Sequence, residues 1–320
     1  MIYLSAQPDH IYFTWQLEVQ FLNFQELNIP LSSYHVLVGI RGDLPSSHFS
    51  SLAQRYPEVK WQFIKDTRIS KRYIPSIRPH IISKYFKANL ELENEDIFYF
   101  DSDVIFRETL DFTKLKQGGI NYVSDTNSYL NTRYIREKGG DEMLQAMCNI
   151  IGVTVEQIDG LEKNHGGAQY FLQKGITYSF WEKIESDCTK LYCYLLDNTH
   201  LYAKSWSEKT GKKIEEYHEI QAWCSDMWCV LWNLVLLGRR VEVTDELNFS
   251  WATGTKEQYE SCKIFHNAGV TEETSNKFFF KGRYIQGLPS DLDLSFISKE
   301  SASYYYSIYV NKLVSQRKIS

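Results

Sequence analysis

Apolar and amphipathic stretches alternate along the first hundred positions of the chain. Short apolar runs bounded by polar residues are typical of strands, whereas apolar residues at three- and four-residue spacing indicate helices. The pattern predicts strands at 2–5, 34–40, 59–64 and 96–100, and helices at 11–27, 46–56 and 77–90. Strands that alternate with helices imply βαβ units. The predicted fold class is therefore α/β, with a mostly parallel sheet flanked by helices.

The alternation becomes irregular after about residue 125. The pattern predicts a strand at 120–124, a turn at Gly139-Gly140, and helices at 141–151, 168–173, 180–196 and 221–237. The lysine-rich stretch 204–217 is expected to be a solvated loop or helix face. Because no repeat, low-complexity stretch or linker interrupts the chain, we expect a single domain with a helical elaboration in its second half.

Composition narrows the class of protein. The chain has 320 residues, 15% of them aromatic, and a formal net charge of −5. Its apolar and aromatic content excludes an intrinsically disordered chain, and its charge argues against nucleic acid as a partner. No apolar run approaches the roughly 18 residues of a membrane span, and the N-terminus lacks the features of a signal peptide. We therefore expect a cytoplasmic protein without a transmembrane segment.

The six cysteines allow two interpretations. Two pairs have Cys-x₄-Cys spacing, which leaves a zinc site open, but no Cys-x-x-Cys is present. Reduced, half-buried thiols are the better interpretation for a cytosolic protein.

Two carboxylates one residue apart, Asp101 and Asp103, end an apolar run that begins at Ile97. Burying two charges is costly unless a partner neutralises them. Ligands of open α/β sheets bind at the carboxyl ends of the strands, and carboxylate oxygens suit Mg²⁺ or Mn²⁺, especially where phosphates complete the coordination. The pair therefore predicts a divalent-metal site, and the alternative is an ordinary turn begun by Ser102.

Two segments near residue 270 could complete such a site. His266 precedes a turn at Gly269, and a neutral imidazole is a competent metal ligand. The alternative is a core or capping histidine. Lys277, Lys281 and Arg283 surround an aromatic run, and a cation there could neutralise a phosphate group, although an ordinary charged loop has the same composition.

Two further segments offer polar groups in apolar surroundings. Gly166-Gly167 before the predicted helix would leave backbone amides free for a ligand, and Gln169 one turn later could bind hydroxyl groups. The alternative is a plain helix-initiating turn. Asp226 is a carboxylate in a nearly apolar predicted helix, so it is expected to be either paired in a structural salt bridge or functional.

Taken together, these segments resemble nucleotide-sugar glycosyltransferases of the GT-A (Rossmann-like) fold. Asp101-Ser102-Asp103 resembles the Asp-x-Asp signature of that superfamily, and residues 78–84 resemble the helix before it. His266-Asn267-Ala268-Gly269 is similar to the first half of the His-x-x-Gly-x-x-Lys-Pro-Trp segment of glycogenin and bacterial galactosyltransferases, whose Lys-Pro-Trp half is absent here.

The middle of the chain resembles a second group, the hydroxyproline arabinosyltransferases and peptidyl-serine galactosyltransferases. The similar stretches are Gly166–Gln169, Phe180–Lys183 and Trp223–Met227, in which Asp226 replaces a glutamate of that group.

The resemblance implies a glycosyltransferase with a nucleoside-diphosphate sugar, usually a UDP-sugar, as donor. The acceptor would be a glycan, polysaccharide or glycoprotein, and the cofactor Mn²⁺ or Mg²⁺. Asp101, Asp103 and His266 would be the metal ligands. The residues expected to contact the nucleotide sugar are Gln7, Asp9, Asp66, Arg78, Lys84, Asp101, Ser102, Gly269 and Lys281. Gln169 and Asp226 would face the sugar and the acceptor as catalytic residues.

The resemblance also divides the single expected domain into parts. These are a nucleotide-binding half at 1–125, a sugar and acceptor half at 126–290, and a C-terminal helical tail at 291–320. A retaining mechanism is slightly favoured by the His-x-x-Gly match, and an inverting one would use Asp226 as base. The alternatives from other classes are a non-catalytic nucleotide-sugar or glycan-binding module, a metal-dependent phosphohydrolase, and an aromatic-rich interaction protein.

Overall fold

The computed structural model describes residues 1–318. Its strands are β1 (Ile2–Pro8), β2 (Tyr34–Ile40), β3 (Lys60–Lys65), β4 (Ile97–Tyr99), β5 (Val104–Phe106), β6 (Asn121–Asp125), β7 (Gly166–Leu172), β8 (Val241–Val243), β9 (Phe249–Trp251) and β10 (Ile264–His266). Its α-helices are α1 (Ile11–Glu26), α2 (Ser47–Arg55), α3 (Ile77–Ala88), α4 (Phe112–Leu115), α5 (Asn127–Leu130), α6 (Thr132–Ile151), α7 (Val155–Asp159), α8 (Tyr178–Asp197), α9 (Thr199–Thr210), α10 (Ser225–Leu236), α11 (Lys256–Ser261) and α12 (Ala302–Arg317). Residues 319 and 320 of the expected tail lie outside the described residues.

The strands and helices predicted for the first hundred residues all form, with ends that differ by at most three residues. Local sequence explains this agreement. Ser46, for example, caps α2 because its hydroxyl accepts a hydrogen bond from the backbone N–H of Phe49 at 3.4 Å. The α/β class with mostly parallel strands and flanking helices is confirmed.

The first of two units comprises residues 1–65, 97–115 and the chain from Thr244 onward. Its main sheet has the strand order β3-β2-β1-β4, and all neighbouring pairs are parallel. A second sheet has the order β5-β10-β9, in which β10 is antiparallel to β5 and parallel to β9. Residues 100–103 connect β4 to β5, and therefore carry the chain from one sheet to the other.

Helix α1 is buried on several faces. Its Phe24 contacts Tyr3 of the main sheet, with 5.3 Å between the ring centroids. Its Trp15 and Val19 belong to a separate apolar cluster that includes Ile105 of β5 and residues of β10 and α12. The helix is thus packed against both sheets, and few of its positions remain for solvent.

The second unit comprises residues 66–96 and 116–243. Its strands have the order β7-β6-β8, with β6 antiparallel to β7 and parallel to β8. Helix α8 packs against α3 and α10. The indoles of Trp181, Trp228 and Trp232 are fully buried and fill much of this core.

The helix predicted at 168–173 is wrong, because Gly166–Leu172 form strand β7. A Cβ on Gly166 would collide with Val123 and with the backbone oxygen of Ser124, so glycine permits close approach of β6 rather than the start of a helix. The pairing register shifts between Val123 and Ser124, and Ala168 in the bulge has a left-handed φ of 68°.

Smaller differences concern the remaining second-half predictions. The Gly139-Gly140 turn is a kink inside α6, where Gly140 has a φ of 73°. The stretch 204–217 begins inside α9 and continues as a loop with a short 3₁₀ turn. The helices predicted at 180–196 and 221–237 are confirmed as α8 and as α10 with a preceding 3₁₀ turn. The division at residues 125 and 290 stays a prediction.

The cysteines and the hydropathy of the helices complete the description. All six cysteines are free thiols. Within residues 1–318, every helix is too short or too polar to cross a membrane.

Candidate metal centre

Three potential metal ligands meet beyond the carboxyl end of β4. Asp101 and Asp103 lie in the turn after this strand, and His266 ends β10, where it pairs with Val104. One ligand atom from each of the three lies within 4.8 Å of the others. The Nε2 of His266 is 3.3 Å from Oδ1 of Asp103 and 3.7 Å from Oδ2 of Asp101. In the part of the chain that the structure describes, no other group of three such residues comes this close.

The chemistry of these side chains fits a divalent cation. Two carboxylates and an imidazole suit Mn²⁺ or Mg²⁺ better than they suit metals that prefer thiolates. The side chain of Asp103 is 3% exposed and that of His266 8%, whereas that of Asp101 is 29% exposed. The centre is therefore buried on the Asp103 side and accessible on the Asp101 side, where ligand oxygens could complete the coordination.

Lys281 supplies a cation beside the three ligands. Its ammonium donates a hydrogen bond to Oδ2 of Asp103. Burial alone would raise the pKa of Asp103, but the charges of Lys281 and His266 outweigh it and hold this pKa below its usual value. Burial likewise opposes the charge of Lys281, yet Asp103 keeps the pKa of this lysine above its usual value. Both groups are therefore charged at neutral pH.

Aromatic rings fix the imidazole of His266. Trp251 pairs with His266 across β9 and β10, and their rings are nearly parallel, 10° apart, with centroids 6.2 Å apart. The Phe249 ring centroid lies 5.5 Å from the imidazole. Gly269 follows with a φ of 85°, a conformation that favours glycine, and turns the chain past Trp251. The imidazole is thus held between strand pairing and aromatic contacts.

Other predicted ligand-binding residues of the first unit already make contacts within the protein. The amide of Gln7 donates to the backbone oxygen of Leu37 at 2.7 Å. The carboxylate of Asp9 accepts from the backbone N–H of Ser46 at 2.7 Å. Ser102 donates its hydroxyl hydrogen to Gln16 at 3.0 Å. Gln7 and Asp9 thus bond to the backbone and Ser102 to a side chain of α1, and direct contact with a ligand stays a prediction for each.

Asp66 and Lys84 lie in the second unit. Asp66 forms an ion pair with Arg68 at 3.0 Å and a longer one with Lys71 at 3.5 Å. Burial would raise the pKa of Asp66, but the hydrogen bonds from Arg68 outweigh it and lower this pKa to about 2. Lys84 donates to the hydroxyl of Thr67 at 2.6 Å. The structure therefore brings these two residues to one loop, 66–68.

Asp226 and Arg78 also lie in the second unit, and the structure brings them together. Asp226 is in the first turn of α10, where its Oδ1 accepts from the hydroxyl of Tyr73 at 2.8 Å and from the N–H of Met227 at 3.1 Å. The guanidinium of Arg78 is 3.7 Å from Oδ2 of Asp226. The structural salt bridge that the sequence left open is thus present.

Gln169 is fully buried in the bulge of β7, and its Oε1 accepts from the hydroxyl of Ser124 at 2.5 Å. It lies on a strand and not one turn into a helix. The catalytic assignment of Gln169 and Asp226 stays a prediction.

Sequence reasoning missed two residues around the metal centre. Trp251 gave no signal, because its contact with His266 arises only when β9 and β10 pair. Gln20 donates to the backbone oxygens of Asp101 and Val104, both at 2.8 Å. A polar residue within the apolar face of a predicted helix was a usable signal for Gln20.

Comparison with known proteins gives similarities only among solved structures. No protein-family model and no curated protein matches the chain. One similar structure is the galactosyltransferase LgtC in complex with donor and acceptor sugar analogues, at 14% identity over 88% of this chain and 93% of that chain, with a TM-score of 0.41. Another is the apo bifunctional glycosyltransferase WbbM, at 10% identity over 85% and 46%, with a TM-score of 0.42. A third is the apo form of mouse xyloside xylosyltransferase 1, at 11% identity over 84% and 99%, with a TM-score of 0.38.

Proposed function

We propose that the chain is a metal-dependent glycosyltransferase of the GT-A fold. It would transfer a sugar from a nucleoside-diphosphate sugar, with a UDP-sugar favoured, to a hydroxyl of a glycan, polysaccharide or glycoprotein. The observation that supports this most strongly is the cluster of Asp101, Asp103 and His266 beside Lys281, at the carboxyl end of a parallel strand. Ligands of α/β sheets bind at that end of the strands.

The composition of the centre favours a diphosphate as the ligand. Three protein ligands leave about half of an octahedral shell for other oxygens, and Mg²⁺-type sites are commonly completed by phosphates of the substrate. Lys281 adds a positive charge that can pair with phosphate. The sequence contains no glycine-rich phosphate loop. Metal and lysine together would therefore hold the diphosphate.

The protein side of the mechanism follows from these positions. Asp101, Asp103 and His266 would hold Mn²⁺ or Mg²⁺, which when bound supplies Lewis-acid stabilisation of the leaving diphosphate. Lys281 would turn its ammonium from Asp103 to the diphosphate and donate to it as negative charge develops. Trp251 would keep the imidazole of His266 in the plane needed for coordination. Gln169 and Asp226 of the second unit stay the predicted catalytic residues.

We favour a retaining reaction, in which the leaving diphosphate takes the proton of the acceptor hydroxyl. An inverting reaction would need Asp226 as base, but Oδ1 of this residue already accepts two hydrogen bonds and Oδ2 faces Arg78. The anomeric configuration of the first product, read by NMR before it equilibrates, distinguishes the two reactions.

Incubation with UDP- and GDP-sugars, with Mn²⁺ or with a chelator, tests the function. We expect Mn²⁺-dependent release of UDP or GDP that falls at least about 100-fold in Asp103→Asn, since this change removes the negative charge of a metal ligand. The control is Asp43→Asn, because Asp43 is a surface residue with a 90% exposed side chain. Donor binding without any release, on any acceptor offered, would indicate the non-catalytic module instead. No binding of any nucleotide sugar would refute both.

A further inference from the structure

Three side-chain amides lie along one face of α1, at Gln16, Gln20 and Asn23. Residues at i, i+4 and i+7 of a helix share a face. Each of these residues is at most 1% exposed, and each makes a hydrogen bond to the segment 102–106 or to the carbonyls that bound it. Buried glutamine is unusual in proteins unless its polar atoms are satisfied.

Gln20 contacts the backbone on both sides of the metal-binding turn. Its Nε2 donates one hydrogen bond to the oxygen of Asp101 and one to the oxygen of Val104, each at 2.8 Å. Its Oε1 accepts a hydrogen bond from the hydroxyl of Tyr34. Because the two backbone oxygens can only accept, the amide nitrogen of Gln20 must face the turn and Oε1 must face Tyr34 of β2.

The other two amides make different contacts. Asn23 bonds only to residues beyond the turn: its Nδ2 donates to the oxygen of Phe106 and its Oδ1 accepts from the N–H of Phe106, both at 2.8 Å. The same Nδ2 also donates to the hydroxyl of Tyr309 at 3.1 Å. Gln16 accepts from the side chain of Ser102. Of these three amides, Gln20 alone bonds to the backbone carbonyls of Asp101 and Val104.

The need for such contacts follows from the chain path. Residues 100–103 cross from the main sheet to the second sheet, so their carbonyls cannot all find partners in a strand ladder, and a buried unpaired carbonyl is costly. On the other side of the turn, the N–H of Asn267 donates to the oxygen of Asp103 at 3.0 Å. Hydrogen bonds from Gln20 of α1 and from Asn267 after β10 therefore hold the turn on two sides.

We propose that Gln20 is a positioning residue of the metal centre. Its carboxamide sets the conformation of the turn 101–104 and so the spacing between the carboxylates of Asp101 and Asp103. This inference rests on the proposed function, because it assumes that the two aspartates bind a divalent cation. Groups that orient metal ligands without touching the metal commonly contribute a factor of 10 to 100 in metal affinity.

Titration of the free protein with Mn²⁺ alone, with unbound ion counted from its EPR signal, tests the inference. We expect Gln20→Met, which keeps side-chain length and deletes the hydrogen-bonding atoms, to raise the Kd for Mn²⁺ about tenfold. The matched control is Asn23→Leu, which deletes a buried amide of the same helix that contacts Phe106 and Tyr309. It is expected to lower the urea midpoint to a similar extent while leaving the Kd within about twofold of the wild type.

A milder pair of variants covers the case in which Gln20→Met does not fold. Tyr34→Phe removes the hydroxyl that donates to Oε1 of Gln20 and is expected to raise the Kd about threefold. Tyr309→Phe removes a hydroxyl that contacts Asn23 and is expected to leave the Kd unchanged.

The outcomes separate this inference from the proposed function. If Asp103→Asn abolishes Mn²⁺ binding while the Gln20 and Tyr34 variants bind as tightly as the wild type, the positioning role is refuted and the metal centre stands. Equal weakening in the Gln20 and Asn23 variants would show a general effect of lost stability and also refute the role. If the wild-type protein binds Mn²⁺ neither alone nor in the presence of UDP, both proposals are refuted.

Discussion

At the residue scale, the carboxylate of Asp103 contacts the ammonium of Lys281 and the imidazole of His266, and it would also bind the proposed cation. A buried carboxylate needs a positive neighbour, because an uncompensated buried charge costs several kcal/mol. Lys281 meets this need in the protein alone. Lys281 contacts Oδ2 of Asp103, whereas Oδ1 faces His266. A divalent cation held by Asp103 would therefore compete with the ammonium for the negative charge of the carboxylate.

Replacing Lys281 by methionine should separate its stabilising effect on Asp103 from its competition with a bound cation. We expect Lys281→Met to lower the free energy of unfolding of the metal-free protein by about 2 kcal/mol, because Asp103 loses its ammonium partner. This loss is smaller than that expected for a deeply buried ion pair, because Lys281 is partly exposed. We also expect Mn²⁺ to raise the Tm of the variant more than that of the wild type, because no lysine competes for the carboxylate. Thermal unfolding with and without Mn²⁺ measures both quantities.

Lys277→Met is the matched control for this experiment. Lys277 is an exposed lysine four residues earlier in the chain. We expect its removal to change neither the free energy of unfolding nor the Mn²⁺-induced shift in Tm. If Lys281→Met and Lys277→Met behave alike, Lys281 does not neutralise Asp103 in solution.

At the scale of elements, β7 shows where local sequence patterns mislead. Two glycines before Ala168 resemble a helix start, yet Gly166 is required by the close approach of a strand that is distant in sequence. Gly166 lies against β6, and a Cβ on Gly167 would come within 2.7 Å of the Tyr170 hydroxyl and 2.8 Å of the Met227 side chain. Contacts between elements, and not the spacing of apolar residues, determine the secondary structure of this segment.

Gly166→Ala should therefore destabilise the protein. We expect a loss of roughly 1–3 kcal/mol in the free energy of unfolding, because the new methyl group must push β6 and β7 apart. Urea unfolding followed by circular dichroism measures it. The control Gly42→Ala adds a methyl group where the nearest atom lies 4.0 Å away, so a change below about 0.5 kcal/mol is expected there. Equal stability of the two variants would argue against β7 as placed here.

The difference between local sequence patterns and contacts between elements also explains how much of the candidate site was predictable. The Asp-x-Asp pair and its place after β4 follow from an apolar run that ends in carboxylates. His266 follows from its position before a glycine turn and from a predicted metal site that still lacked a ligand. Gln20 lies at least 81 positions from the residues that it contacts in the turn. Trp251 lies 15 positions from His266. No periodicity encodes such contacts, so only the folded chain shows them.

At the scale of the whole molecule, one buried histidine should make stability depend on pH. His165 is 1% exposed, and its Nδ1 has no hydrogen-bond partner in the structure described for residues 1–318. Burial lowers its pKa to about 4, against an attraction to Asp159 that would raise it. The unfolded chain, in which a histidine has a pKa of about 6.5, therefore binds a proton that the folded chain rejects.

The sign of the effect follows from linkage. A depressed histidine pKa gives stability that is fully present above about pH 6.5 and is lost as the pH falls towards 4. Between pH 8 and pH 5 we expect His165 to remove about 2 kcal/mol from the free energy of unfolding. Asp66, whose pKa of about 2 also lies below its unfolded value, loses its contribution only below about pH 4, so it does not obscure this window.

Replacing His165 tests this expectation against an exposed histidine of the same unit. His165→Leu should abolish most of the difference between urea unfolding at pH 8 and at pH 5, because no group is left there that gains a proton on unfolding. His200→Leu removes an exposed imidazole and should leave the difference as in the wild type. If the two variants keep the same pH dependence, the acid sensitivity of the molecule arises from other groups, and His165 is protonated as readily in the folded chain as in the unfolded one.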